Sequence, residues 1–195
     1  MAKRGNTDIT DRRTKYTRMT IRNSLLELLK KKSFEKITVT EICKISDLNR
    51  GTFYLHYYDM LDVLDDLIQE VFSDTSDIID HVLCPNRAVC GYPLCEKIQS
   101  ATAYQPLFMD DTAAARILHK ISESCKERFV TYLMQNSNLT FEQAEALFYF
   151  QINGCMTVNR MMLKNHCYDW KNIQNVIDQY IKAGLQAHIN PDKQA

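Results

Sequence analysis

The sequence predicts an all-α protein, with an N-terminal three-helix helix-turn-helix head followed by a larger helical body. Three observations carry that expectation. Glycine (5) and proline (4) are scarce in 195 residues, while Leu, Ile, Lys, Glu and Gln are abundant, a composition that favours helix over sheet. Helix-start signals recur: Thr38 with Glu41 and Thr140 with Gln143 have capping-box spacing, and Asn49, Asp59 and Asp169 are placed to cap. Between them apolar residues return every three to four positions, giving about nine helices in all. No internal repeat or low-complexity tract interrupts the pattern.

Taken in order, residues 1–15 read as a flexible basic arm carrying Lys3, Arg4, Arg12, Arg13 and Lys15. A first helix is expected from Tyr16 to Lys32, with Ile21, Leu25, Leu28 and Leu29 on its core stripe. Phe34 and Ile37 should pack beneath the turn that follows. A second helix opens at Thr38 and sets Ile42 and Ile45 on one face. Asp47-Leu48-Asn49 ends it, and Asn49 caps a third helix running through Tyr58. Gly51 is costly inside that helix, so close approach of another backbone is its expected reason. Ile42, Leu48, Phe53 and Tyr57 are assigned to the core of the head. Asp59 and Asp62 begin a long helix to about Val82, with Leu61, Leu64, Ile68, Val71 and Phe72 on its apolar face.

Pro85 to Pro93 is the clearest break in the body. A helix from Leu94 to Ala103, an irregular stretch from Tyr104 to Phe108, and a periodic helix from Ala113 to Gln135 follow. Thr140 starts a helix to Lys164, and Asp169 caps a last one from Trp170 to His188. The head is therefore placed at residues 16–58 and a regulatory and dimerisation domain at 59–195.

Charge divides along the same boundary. Residues 1–58 hold 13 Lys+Arg against 6 Asp+Glu, a net +7, whereas residues 59–195 hold 11 against 18, a net −7. A basic front suits phosphate contact and an acidic body stays off it. No secretory signal or apolar run of the ~20 residues needed for a membrane span is found. Seven cysteines, an odd number, suit reduced thiols, so a cytoplasmic protein with no membrane partner is expected.

Two short helices joined by a tight turn, the second presenting Arg50, Thr52, Tyr54 and His56, form a helix-turn-helix whose second helix enters the DNA major groove. The run Asn49-Arg50-Gly51-Thr52-Phe53-Tyr54, with its aromatic end and the capping Asp59, closely resembles the signature of the tetracycline-repressor (TetR) family. The resemblance covers Tyr16 to Phe72. It implies a homodimeric transcription regulator with double-stranded operator DNA as partner, a small-molecule effector bound in the body, and no cofactor. It further implies that the counterparts of Thr40, Arg50, Thr52, Tyr54 and His56 touch bases or phosphates, with Thr38, Asn49 and Gly51 completing that surface. Arg50 is the best base reader, because a guanidinium can donate twice to guanine O6 and N7. Tyr58 and Met60 stand where the family often has Lys, so Arg12, Arg13, Lys15 and Arg18 are expected to supply the missing phosphate contacts.

In the body, Leu147, Gly154, Val158 and Met161 form one stripe and Ile173, Ile177, Tyr180, Ile181 and Leu185 another. With Trp170 and Gly184 they are the expected dimer interface, the glycines allowing close helix approach or answering an internal packing constraint. Tyr104, Phe108, Met109, Phe129, Tyr132, Met134 and Tyr149 could line a ligand pocket for an apolar or aromatic molecule, or be ordinary core. Asp110, Asp111 and His119 nearby read as surface. His81, Cys84, Cys90 and Cys95 lack the close Cys pair of a structural zinc site, so no metal is expected; thiol sensing is the alternative reading. No phosphate loop, nucleophile motif or metal-hydrolase motif is present, and an enzyme is not expected. A DNA-binding structural or cell-division factor of the same fold, without ligand sensing, is the other alternative.

Overall fold

The computed structural model describes residues 5–72, 102–165 and 169–188, with side chains from residue 12 onward. The described residues form eight α-helices and no β-strand: α1 (Gly5–Leu29), α2 (Val39–Ser46), α3 (Arg50–Tyr54), α4 (Met60–Val71), α5 (Gln105–Met109), α6 (Asp111–Asn136), α7 (Phe141–Lys164) and α8 (Trp170–Gln186). They divide into two units. One holds Met1–Ser73 together with Asp110–Ala114, the other Asp74–Met109 with Ala115–Ala195.

The head is built on α1, which packs against both α2 and α4, while α2 packs against α3. Its core is Ile21, Leu25, Leu28, Phe34, Ile37, Ile42, Phe53, Tyr57, Val63, Leu64, Leu67 and Ile68, all buried. The expected stripe of α1 and the two residues beneath the turn are therefore in place. The start of α1 is not: the helix begins at Gly5 rather than Tyr16 and ends at Leu29 rather than Lys32. Nothing between Gly5 and Tyr16 breaks a helix, so the packed segment nucleates turns that propagate backwards through the polar arm.

Two phase assignments also shift. In α2 the inner face is Ile42, Cys43 and Ser46, and Ile45 is exposed. In α4 the inner face is Val63, Leu64, Leu67, Ile68 and Val71, leaving Leu61 exposed. The part of that helix expected between Phe72 and Val82 lies outside the described residues, as do the Pro85–Pro93 break and most of the Leu94–Ala103 helix.

In the body, the stretch from Thr102 to Met109 is helical rather than irregular, a 3-10 turn at Thr102–Tyr104 leading into α5, which packs on α7. Helix α7 opens with the expected capping box, Thr140 accepting from the Gln143 N–H and Gln143 accepting from the Thr140 N–H. Asp169 precedes α8 without capping its backbone; its Oδ1 accepts from the Asn172 side chain at 2.6 Å instead.

Candidate nucleic-acid interface

The interface is positioned by three local devices. Thr38 Oγ1 accepts from the Glu41 N–H while Glu41 Oε2 accepts from the Thr38 N–H at 3.0 Å, which starts α2 at a defined residue. Glu41 Oε1 also pairs with Lys32 Nζ at 2.5 Å, and the Lys32 ammonium, with Thr38, holds that carboxyl below its ordinary range. At the other end Asp47 sits at φ 52°, ψ 44°, in the left-handed region, and its N–H bonds back to the Cys43 carbonyl. Aspartate tolerates that conformation better than most residues, so the chain turns sharply without glycine.

Asn49 then starts α3: its Oδ1 accepts from the Thr52 N–H at 2.7 Å and lies 3.2 Å from the Thr52 hydroxyl. A Cβ on Gly51 would come within 3.1 Å of that same Oδ1. The glycine thus makes room for the capping side chain, not for a neighbouring backbone as the sequence suggested. Helix α3 is also shorter than expected, ending at Tyr54 and not Tyr58. The Leu55 N–H is shared between the Gly51 and Thr52 carbonyls, and the Tyr57 N–H still reaches Phe53 at 3.1 Å, so the backbone tightens into a turn that swings Tyr57 inward.

That inward turn ends in a polar hub. Asp66 Oδ2 accepts from the Tyr57 hydroxyl at 2.5 Å and from Arg22 Nη1 at 2.7 Å. Its Oδ1 pairs with Arg18 Nη2 at 2.7 Å, and Arg22 Nε pairs with Glu70 at 2.7 Å. The Arg18 guanidinium lies 5.1 Å from the Tyr57 ring centre. Burial raises the Asp66 carboxyl, but hydrogen bonds from Tyr57, Arg22 and Arg18 outweigh it and leave the group below its ordinary range. Burial and the bond to Asp66 push the Tyr57 phenol well above its own. Arg18, expected in the phosphate-binding arm, thus also holds α1 to α4 through Asp66, a role its sequence neighbours did not reveal.

With Phe53 and Tyr57 turned inward, the opposite side of the motif is open. Arg50 is exposed, its Nη2 3.4 Å from the Tyr54 hydroxyl and its guanidinium 6.0 Å from that ring's centre. Tyr54, 50% exposed, thus steadies the guanidinium, and its phenol reinforces the Arg50 charge. Thr40 and Tyr58 are exposed and His56 is half-buried. Thr38 and Asn49 are exposed too, but their side chains are spent as caps. Arg12, Arg13 and Lys15 are exposed along α1. Leu55, 82% exposed, and Ile45 were missed as surface residues by the sequence reading, which set Ile45 on one face with Ile42 and gave Leu55 no role. The signal was available, since a leucine between Tyr54 and His56 interrupts the core spacing of Phe53 and Tyr57.

No protein-family model matches the chain. A stretch of 73 residues, 37% of this chain, is 34% identical to an uncharacterized HTH-type transcriptional regulator, YxbF, of Bacillus subtilis (strain 168), and covers 18% of that protein's length. The chain is similar to TetR-like helix-turn-helix proteins. The solved structure of the dihydroxyacetone kinase operon activator DhaS has the same fold, with a TM-score of 0.51 and 13% identity over 89% of this chain and 98% of that one. The TetR family repressor AlkX from Dietzia sp. strain DQ12-45-1b aligns over 88% and 98% with a TM-score of 0.47 and 13% identity.

In the helical body, the expected pocket residues separate. Phe108 and Phe129 are buried, Phe129 packing on Phe148 at 5.5 Å between ring centres. Tyr104 and Tyr132 are half-buried, while Met109, Met134 and Tyr149 are exposed, Lys126 Nζ lying 5.8 Å from the Tyr149 ring centre. Asp110, read as surface, is buried: its Oδ1 accepts from the Ala113 N–H at 3.0 Å and its Oδ2 from the Phe34 N–H at 2.8 Å.

The expected dimer residues also divide. Leu147, Val158, Trp170, Ile173, Ile177 and Ile181 are half-buried within the single chain. The outward stripes are instead Ala146, Phe150, Gly154, Thr157 and Met161 on α7, and Val176, Tyr180, Ala183 and Gly184 on α8. Among the described residues, a Cβ on Gly154 or Gly184 would meet nothing within 4 Å, so neither glycine answers a packing constraint there. His81, Cys84, Cys90 and Cys95 lie outside the described residues.

Proposed function

We propose that the chain is a sequence-specific DNA-binding transcription regulator that acts as a homodimer and responds to a small effector in its body. The observation that carries this reading is the opposition of faces across α3. Phe53 and Tyr57 are buried while Arg50 and Tyr54 project together into solvent from a helix that α2 braces. A helix held this way can enter a major groove with its guanidinium already oriented. Arg50 is the base-reading residue, donating to a guanine edge. Leu55 and Ile45 supply apolar contacts of the kind that recognise a thymine methyl. Thr40, Thr52, Tyr58, His56 and the α1 residues Arg12, Arg13 and Lys15 contact phosphate.

One head reads too few base pairs to select a site, so two are needed, related by a two-fold axis. The outward stripes of α7 and α8 support that assembly. Each sets exposed apolar side chains beside a glycine whose added Cβ would meet none of the described residues: Phe150, 69% exposed, with Gly154, and Tyr180, 71% exposed, with Gly184. Repression with release on effector binding is the mode we favour, the effector acting through its different affinity for the DNA-competent and incompetent states. DhaS, an operon activator by name, marks the opposite sign as compatible with the fold.

Selection of bound duplexes from a random pool tests the reading. Two inverted half-sites whose centres lie about 10 base pairs, or a multiple, apart are expected. A pool that stays random through successive rounds at low salt would refute it.

A further inference from the structure

At about 100° per residue, Gly51 and Leu55 stand almost opposite Phe53 on α3, each about 160° from it around the axis. Leu55 closes the helix with right-handed α geometry, so it keeps that phase. Burial agrees: Phe53 is fully buried, Gly51 is exposed and Leu55 is 82% exposed. Arg50 and Tyr54 lie on one flank of this line, and half-buried Thr52 and His56 on the other. The centre of the proposed reading surface is therefore a bare glycine followed one turn later by a leucine, with the guanidinium at its edge.

The two residues act together. A helical side chain leans toward the turn before it, so Leu55 reaches over Gly51. The helix's own backbone and chain neighbours aside, only the Asn49 side chain among the described residues comes within 4 Å of where a Gly51 Cβ would stand. Leu55 thus borders a strip of α3 that carries no side chain. Leucine cannot donate to a phosphate, so this residue adds nothing to backbone contact. A second head is not its occupant either, since residues 1–58 hold 13 Lys+Arg against 6 Asp+Glu and two such surfaces repel. What fits is a small apolar group carried on an anionic polymer. In the major groove that group is the C5-methyl of a pyrimidine.

We infer that Leu55, over Gly51, determines specificity by taking a pyrimidine C5-methyl group, and that this methyl lies within about three base pairs of the guanine read by Arg50. The separation follows from the helix, because five residues rise about 7.5 Å, roughly two base steps of about 3.4 Å. The inference rests on the proposed DNA-binding function and specifies what the middle of its surface recognises. The methyl of thymine and that of 5-methylcytosine occupy the same groove position, so both are ligands of this contact.

The test uses the full-length protein and the duplex it selects from the random pool, with affinity read by fluorescence anisotropy at fixed salt. Arg50→Ala identifies the guanine, as the position where discrimination is lost. Each thymine within about three base pairs of it is replaced by deoxyuridine, which removes the methyl and keeps the pairing. At one position per half-site the protein should bind about fourfold more weakly, and about fifteenfold when both half-sites are changed. Cytosine placed there should bind weakly, and 5-methylcytosine should recover about fourfold over it. Leu55→Ala should weaken the thymine site by a similar factor and bind the thymine and deoxyuridine sites alike. No methyl-sensitive position in that range, a 5-methylcytosine no better than cytosine, or a Leu55→Ala protein that still distinguishes thymine from deoxyuridine would each overturn the inference. The base replacements on the unmodified protein need no variant to fold. A duplex selected without methyl dependence refutes only this contact, whereas a pool that stays random refutes the DNA-binding reading and this contact with it.

Discussion

Replacing Asp66 tests how the reading helix is held. The carboxylate accepts from Tyr57, Arg22 and Arg18 at once, and its side chain is only 18% exposed. Asp66→Ala strands the Tyr57 hydroxyl, on a residue that is 2% exposed, at a cost of about 1–3 kcal/mol. It also leaves Arg22 with Glu70 alone. Removing one member of a fully buried pair costs about 3–5 kcal/mol, but Arg18 is 40% exposed and solvent screens its share, so about 1–2 kcal/mol is assigned here. The total is about 3 kcal/mol. At about 2–4 °C per kcal/mol for a chain of this size, the melting temperature should fall by about 6–12 °C. Tyr57→Phe, which keeps the ring and the arginine pairs, should cost about 1 kcal/mol. Urea unfolding followed by circular dichroism gives these differences, and the double variant gives the coupling, expected at about 1–2 kcal/mol. A loss below about 1 kcal/mol for Asp66→Ala, or strictly additive single variants, would show that the hub is incidental and that α3 is held by apolar packing alone.

Three further outcomes follow from the same structure. Because the folded Asp66 carboxyl lies below its ordinary value, its contribution is fully present above about pH 4 and is lost as pH falls through the folded value. Stability measured from pH 5 downward should therefore fall less steeply in Asp66→Asn than in the unmodified protein, and parallel curves would contradict the shift. Asp110→Ala frees the Phe34 and Ala113 N–H groups, costing about 2 kcal/mol; hydrogen exchange should quicken at those two amides, and unchanged protection would remove Asp110 from the head's stability. Tyr180→Asp or Phe150→Asp should convert a dimer to monomer by light scattering at micromolar concentration and weaken operator binding, whereas an unaltered dimer would place the interface elsewhere.

Much of the head was legible in the sequence because each of its devices is local. The Thr38–Glu41 box, the Asn49 cap and the Asp59 cap depend on neighbours three residues away, and all three form as spelled. The buried Ile21, Leu25, Ile42, Phe53 and Tyr57 follow from helical period. What sequence spacing did not reveal depends on partners far along the chain. Arg18 looked like a free arm residue until Asp66, 48 positions away, was seen to hold it. Asp110 looked like surface until the Phe34 N–H, 76 positions away, was found against it. Ile45 and Ile173 illustrate a second gap: period identifies an apolar stripe, but whether that stripe faces the chain's own core, solvent or a second copy depends on the elements around it.

The most direct test of the reading surface compares Arg50→Ala with the unmodified protein on a selected site and on random duplex, across a salt series. Arg50 should cost about 1–3 kcal/mol on the selected site. Affinity for random duplex, which reports phosphate contact, should scarcely change. Equal loss on both duplexes, accompanied by a shallower salt dependence, would show that Arg50 holds phosphate and that the exposed face of α3 does not read bases.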